Sequence, residues 1–417
     1  MSRVGFLHLP TWNEALRADL AAHNQEELLN APVLDAEDAD SSWNSLGADE
    51  FFDVVDLGLS FADRPPLKRV PARVITSDVD LAVRLTEERS PENLGVRGAI
   101  GGTWPLLDLC SPMAFQPTPR RLVAITDGVA AALLSIMEVH EGTLDEALAE
   151  VRWRGFVPGN PTKHLHGLIA RNRLALLAGR LFGCVISPDH IFHDGLSRIN
   201  SIDLTIIRQL RYRLRYLGVV EIGEKGVEAW VRPCLLSDTH PLARLDGNTE
   251  GAHLLFDDGM FTTFIGPGTG KNVALRGMLR DLAEMKDDPK CPKNGNVGKR
   301  ATSPQKEHRY CIPGDEIPAS FYLRLSLVNF VSTLAQVTEI LARSGIELAA
   351  ISQTGNLASA FSHATRSGGK TSNDLILFTR SVAEGVLRQA LSRIGSEIRL
   401  AAVQACLRLE SPVPENV

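Results

Sequence analysis

The feature that most restricts the fold is a break in hydrophobic patterning. Residues 286–316, KDDPKCPKNGNVGKRATSPQKEHRYCIPGDE, carry Pro, Gly, Lys and Asn with no apolar period, which marks a linker. After it, strand and helix signals follow one another as strand 321–328, helix 332–343, strand 347–352, strand 374–379, helix 382–394 and strand 401–409. That βαββαβ order specifies a small ferredoxin-like module. Before the linker, strands over 3–9, 53–58 and 72–77 are separated by helices over 13–22 and 78–88, an alternation that implies a parallel sheet with crossover connections. Residues 120–180 read as helices over 129–139, 144–155 and 168–182, the second opened by a Thr143/Glu146 capping-box pattern. Strands over 228–236, 253–257 and 260–265 and a helix over 273–285 complete the pattern.

Composition narrows the function classes. With 417 residues, two or three domains are expected. The 44% hydrophobic and 23% charged content is that of a globular chain. A net charge of −6 supplies no basic field for nucleic acid. No apolar run approaches the roughly 18 residues of a membrane span, and the first residues lack a secretory pattern. The six cysteines stand singly, with no CxxC, which excludes a zinc cluster or disulfide framework. A cytoplasmic, reducing setting is expected. Only ten of the 44 basic residues are lysine, and five of those (286, 290, 293, 299, 306) sit in the linker. Any reaction that needs a lysine is therefore checkable position by position.

Four stretches, 133–155, 231–247, 266–282 and 320–353, taken in order, resemble the homoserine dehydrogenase family with a C-terminal ACT domain, and the likeness runs from about residue 3 to 410. The resemblance implies an α/β and α+β multidomain fold. Residues 1–118 form a shortened Rossmann-like domain completed by helix 273–285, residues 119–272 a catalytic and dimerisation-type α+β domain, 286–316 a linker and 317–412 a ferredoxin-like ACT domain. A homodimer or homotetramer acting on a small amino-acid-like ligand is implied as well.

Read singly, the motif positions depart from the family. A dinucleotide turn needs glycines so that pyrophosphate can approach backbone N–H groups. In register with GxGxxG this chain has His8, Pro10 and Asn13, and Pro10 also removes an N–H. The family's hydride transfer at an alcohol or aldehyde carbon is assisted by lysine. Where the family resembles VVTANK the chain ends in Val79, and along GYxExDPxxDxxGxDxxxK it has Pro158, His164, Ile169 and Arg173. Arg173 stays charged and exchanges no proton near neutrality. The NGTTN-like segment reads Asp127–Ala131 and the EAAVGGGIP-like segment Arg97–Pro105. At the ACT-like strand–helix turn, Asp-x-Pro-Gly becomes Asn329-Phe330-Val331-Ser332, which favours a structural or dimerising module over a regulatory amino-acid site.

These substitutions lead to the expectation that NAD(P)-dependent homoserine oxidation has been lost, that no cofactor is bound, and that the chain serves as a non-redox enzyme on a small amino-acid-like substrate or as a pseudoenzyme. The alternatives are a non-catalytic regulatory partner and an active NAD(P)-dependent homoserine dehydrogenase. Arg173, His164 and Asp127 are the candidate catalytic residues. Arg97, His166, Lys271, Gly268 and Gly270 are the candidate substrate-binding residues, set against ion pairing of Arg97 and Arg173 with acids. Trp104 is expected to fill vacated volume. His164 and His166 lack a clustered third ligand, so no metal is expected. The loop 266–271 resembles a phosphate loop, but Asn272 stands where a Walker pattern needs Ser or Thr. A small anion on its N–H groups remains an alternative.

Overall fold

The computed structural model describes residues 4–8, 33–35, 53–56, 73–88, 93–103, 105–109, 118–157, 160–197, 199–268, 270–287, 310–328, 330–353, 374–397 and 401–410. Strands β1 (Val4–His8), β2 (Val33–Asp35), β3 (Asp53–Asp56), β4 (Arg73–Thr76) and β5 (Leu94–Gly95) form a parallel sheet in the order β2-β1-β3-β4-β5. The chain steps from β1 to β2, then crosses back to β3 on the other side of β1. In open parallel sheets, ligands bind outside the carboxyl ends of the strands at such a reversal. Helix α1 (Val79–Glu88) follows β4; the Asp78 carboxylate takes the Leu81 N–H at 2.8 Å, and the helix buries Val79, Leu81, Ala82 and Leu85 along one side. The helix expected over 13–22, together with Pro10 and Asn13, lies outside the described residues, as do Trp104, Pro158 and Asn329.

Short helices α2 (Arg97–Ile100) and α3 (Pro105–Leu109) lead into the larger layer. There β6 (Pro119–Ile125), α4 (Gly128–His140), α5 (Leu144–Trp153), α6 (Thr162–Leu165), α7 (Leu168–Phe182), β7 (Phe192–His193), α8 (Ser201–Gln209), β8 (Tyr212–Gly223), β9 (Gly226–Ser237), β10 (Thr249–Phe256) and β11 (Phe261–Pro267) follow in turn. The capping box at Thr143/Glu146 forms as the pattern implies. Helix α7 buries Leu174, Leu176, Leu177 and Leu181 in a core shared with α4 and the sheet. Helix α9 (Lys271–Asp287) then returns to pack on α2, β4 and β5.

The chain ends with β12 (Pro318–Leu327), α10 (Phe330–Arg343), β13 (Leu348–Gln353), β14 (Asp374–Thr379), β15 (Val382–Ala383), α11 (Glu384–Glu397) and β16 (Ala401–Leu409). Both helices cover a core of Phe321, Leu323, Leu325, Val337, Leu341, Leu377, Leu387 and Ile394. The terminal strands do not make a separate sheet. β16 runs parallel to β9 through Arg408↔Cys234 and Leu409↔Leu235, giving one sheet in the order β11-β10-β6-β8-β9-β16-β12-β14-β13, with β7 and β15 as side branches. Buried ion pairs lock this junction. Arg324 holds Asp203 at 2.6 Å and Asp374 at 2.8 Å, Arg232 pairs with Glu384, and Arg121 pairs with Glu410. The architecture is thus mixed α/β with one large sheet. Among the described residues no helix is long and apolar enough to cross a membrane.

Candidate active site

Three elements converge where β6 gives way to α4. Asp127 is the N-cap of α4, and its Oδ1 accepts the Val129 and Ala130 N–H groups at 3.0 and 3.3 Å. A carboxylate is well placed at a helix N-terminus. The short helix α6 brings His164 to it, with Nδ1 at 3.0 and 2.9 Å from Oδ1 and Oδ2. Burial pushes the Asp127 carboxyl up, but the neighbouring His164, the Arg173 charge and the Ala130 N–H outweigh it and leave the group below the usual carboxylate range. An ionised Asp127 only accepts, so Nδ1 of His164 is the donor in this contact. Among the described residues, Nε2 has no hydrogen-bond partner.

Arg173, on α7, occupies the other half of the site. Its Nε donates to Ala99 O at 3.0 Å, and Nη1 donates to Thr126 O at 2.7 Å and to Glu250 Oε1 at 2.8 Å. Glu250, fully buried on β10, also accepts Gly102 N–H at 2.8 Å and Gly128 N–H at 2.9 Å. Burial pushes the Glu250 carboxyl up to about 8 against the pull of Arg173 and these two N–H groups. Gly268 lets the loop after β11 press on this pair: a Cβ there would lie 2.4 Å from both Glu250 Cγ and Asn248 O. Glu250 was not among the residues read from sequence. A single acid inside an apolar strand was the available signal.

The remaining candidates are dispersed. Arg97 turns to α9 and α3, pairing with Asp281 at 2.5 Å, Glu284 at 2.7 Å and Asp108 at 2.7 Å. His166 faces a different cavity, shared with His193 and Asp194. Gly268 spends its N–H on Asn248 O at 2.9 Å, Gly270 precedes α9 with φ +131°, and nothing is described of the Lys271 side chain. Among the described residues no group of three potential ligands could hold a metal.

Lysine is more instructive. Val79, at the first lysine position of the family pattern, is a core residue at the start of α1. Yet the half-buried Lys163 reaches from α6 to the adjacent Asp80, with Nζ 2.6 Å from Oδ2, while Asn172 Nδ2 donates to Oδ1 at 2.7 Å. Lys163 thus brings an ammonium to Asp80, the residue that follows position 79.

The homoserine dehydrogenase family model matches residues 105–283, a span that holds Asp127, Lys163, His164, Arg173 and Glu250. A homoserine dehydrogenase of Neisseria gonorrhoeae is 23% identical over 371 residues, covering 86% of this chain and 81% of that protein. One from Lactococcus lactis is 27% identical over 64% of this chain and 63% of its own length. Sequence comparisons support the homoserine dehydrogenase family. The fold agrees: the crystal structure of a homoserine dehydrogenase from Thiobacillus denitrificans superposes with a TM-score of 0.80 at 22% identity, over 98% of both chains.

Two expectations are corrected by these homoserine dehydrogenase matches. The relatives are named for the dehydrogenase activity, which favours an active enzyme over a repurposed one or a pseudoenzyme. The same matches overturn the expectation that no cofactor is bound. Reading each motif position alone took no account of groups brought in from other elements, such as Lys163, which reaches Asp80 from α6.

Proposed function

We propose that the protein is an NAD(P)-dependent dehydrogenase that interconverts homoserine and the corresponding aldehyde. The observation that carries this reading is the His164 imidazole held by buried, ionised Asp127 with Nε2 open. Oxidation of a primary alcohol removes a hydride from carbon and a proton from oxygen. A carboxylate-oriented imidazole suits the removal of the proton. Nε2 of His164 takes it from the hydroxyl, and Asp127 stabilises the imidazolium that forms. Lys163, steadied by Asp80, supplies positive charge for the oxygen as the proton leaves. Arg173 and Glu250 hold α2, α4, α7 and β10 in register around these groups and are positioning residues.

The parallel sheet β2-β1-β3-β4-β5 fits a dinucleotide at the level of topology, because its reversal lies beside β1. Bound there, the nicotinamide would accept the hydride and return it in the reverse direction. We read this sheet as Rossmann-like, the segment from β12 to β16 as ACT-like, and the assembly as a homodimer or homotetramer. Incubating the protein with homoserine and either NAD or NADP tests the reading. Reduced cofactor should accumulate with at least one of them; no accumulation with either would reject it.

A further inference from the structure

Helix α6 presents both Lys163 and His164, yet it is four residues long, a single turn too short to hold its own shape. Gly167 N–H closes the turn on His164 O at 3.1 Å, and Leu196 N–H, from the loop after β7, donates to Leu165 O at 2.9 Å. Beneath Gly167 stands Tyr216, buried on β8. Its hydroxyl donates to Asp194 O at 2.6 Å. A Cβ on residue 167 would lie 1.9 Å from that hydroxyl oxygen and 3.3 Å from Asp194 O, and the backbone there has φ +77°. Only glycine fits above this pair. The loop presses on α6 in the same way, since a Cβ on residue 195 would lie 2.6 Å from Leu165 O. Burial, with the charges of Asp127 and Asp194, pushes the Tyr216 phenol far up, so it stays a donor.

We infer that Tyr216 is a positioning residue: its hydroxyl, joined to Asp194 O beneath Gly167, sets the height of the junction between α6 and α7 and so the contact of His164 with Asp127. Both ends of that contact are then measured from one sheet. Asp127 stands two residues beyond β6, β6 pairs with β8, and β8 carries Tyr216. β8 is itself paired with β9 along its whole length, from Tyr212↔Ser237 to Gly223↔Gly226, which makes it a stiff support. Without the hydroxyl, Asp194 O loses this donor and space opens under Gly167, so the junction settles and carries the imidazole away from its carboxylate. The geometric role stands apart from the dehydrogenase reading; its effect on turnover rests on that reading.

Tyr216→Phe tests this in the full chain, because it removes the hydroxyl and keeps the ring. Tyr322→Phe is the comparator: Tyr322 is equally buried, but its hydroxyl donates to Asp203 on α8, at 3.2 Å, instead of to the loop after β7. Both variants should stay folded. The first readout is the nuclear magnetic resonance of the His164 ring in nitrogen-15 histidine-labelled protein without ligands, assigned by its loss in His164→Ala. The ring signals should move in Tyr216→Phe and stay in place in Tyr322→Phe. Unmoved signals in Tyr216→Phe, or equal movement in both variants, overturn the positioning role. Because this readout needs no turnover, an inactive wild-type chain would reject the dehydrogenase reading without touching it. The second readout is homoserine oxidation. Tyr216→Phe should lower kcat at least tenfold, as a misplaced catalytic group does, with KM changed less than twofold, and Tyr322→Phe should alter neither. Unchanged kcat in Tyr216→Phe, or an equal loss in both, overturns the link to turnover.

Discussion

The two halves of the candidate site use charge in opposite ways. Arg173 and Glu250 are saturated: the guanidinium meets two backbone carbonyls and the carboxylate, and the carboxylate meets two backbone N–H groups besides. His164 and Asp127 are also paired, but the pairing consumes only Nδ1 and leaves the other nitrogen open. A closed pair can hold elements together; a pair with one free lone pair can take a proton. On the proposed reading, the contrast separates scaffold from chemistry within one site.

The comparison breaks most sharply under Glu250→Ala. Removing this side chain leaves the buried Gly102 and Gly128 N–H groups without their acceptor, a loss of roughly 1–3 kcal/mol for each, and denaturant unfolding should show it as a much lower midpoint. His164→Ala should mark turnover first. Its kcat should fall by about 10²–10⁴, the range for a positioned general base, alongside a lower unfolding midpoint, because buried Asp127 loses its imidazole partner. A variant that lost stability and kept turnover would exchange the roles of the two halves.

Dependence on pH sharpens the contrast. Glu250 is raised from 4.5 to about 8 in the folded chain, so the folded state holds its proton more tightly. Its contribution to stability is whole below about 4.5 and is lost as pH rises through about 8. Asp127 shifts downward, so its contribution is present above the ordinary aspartate range and is lost as pH falls through the depressed value. Unfolding free energies measured across neutral pH should therefore lose part of their downward slope in Glu250→Gln. An unchanged slope would place the titration elsewhere. The smallest effect belongs to Lys163→Ala. The Lys163–Asp80 pair is partly exposed and should contribute about 0–1 kcal/mol to folding, with a larger mark on turnover than on melting.

How much of this was legible in sequence differs by region. Strands 374–379 and 401–409 were readable to the residue because short apolar runs bounded by polar chain are local signals. β8 and α8 were not anticipated. In β8, Arg213 and Arg215 interrupt the apolar run, and only the fold shows both arginines meeting Glu138. Glu250 escaped for a related reason: its partner Arg173 is distant along the chain, and the expected strand began at 253, short of the observed start at Thr249. His164, Asp127 and Arg173 were legible as a group, but their pairing was not. Arg97 was drawn into that group by alignment, whereas Asp281 and Asp108 hold its guanidinium.

At the centre stands the proposal that His164 accepts the proton in place of lysine. Its most direct test is the steady-state rate of homoserine oxidation with NAD or NADP for the wild-type chain and for His164→Ala, each confirmed as folded at the assay temperature. Clear turnover is predicted in the first and at least a hundredfold loss in the second. Turnover that survives the substitution, or is absent from the wild-type chain, would contradict that role for His164.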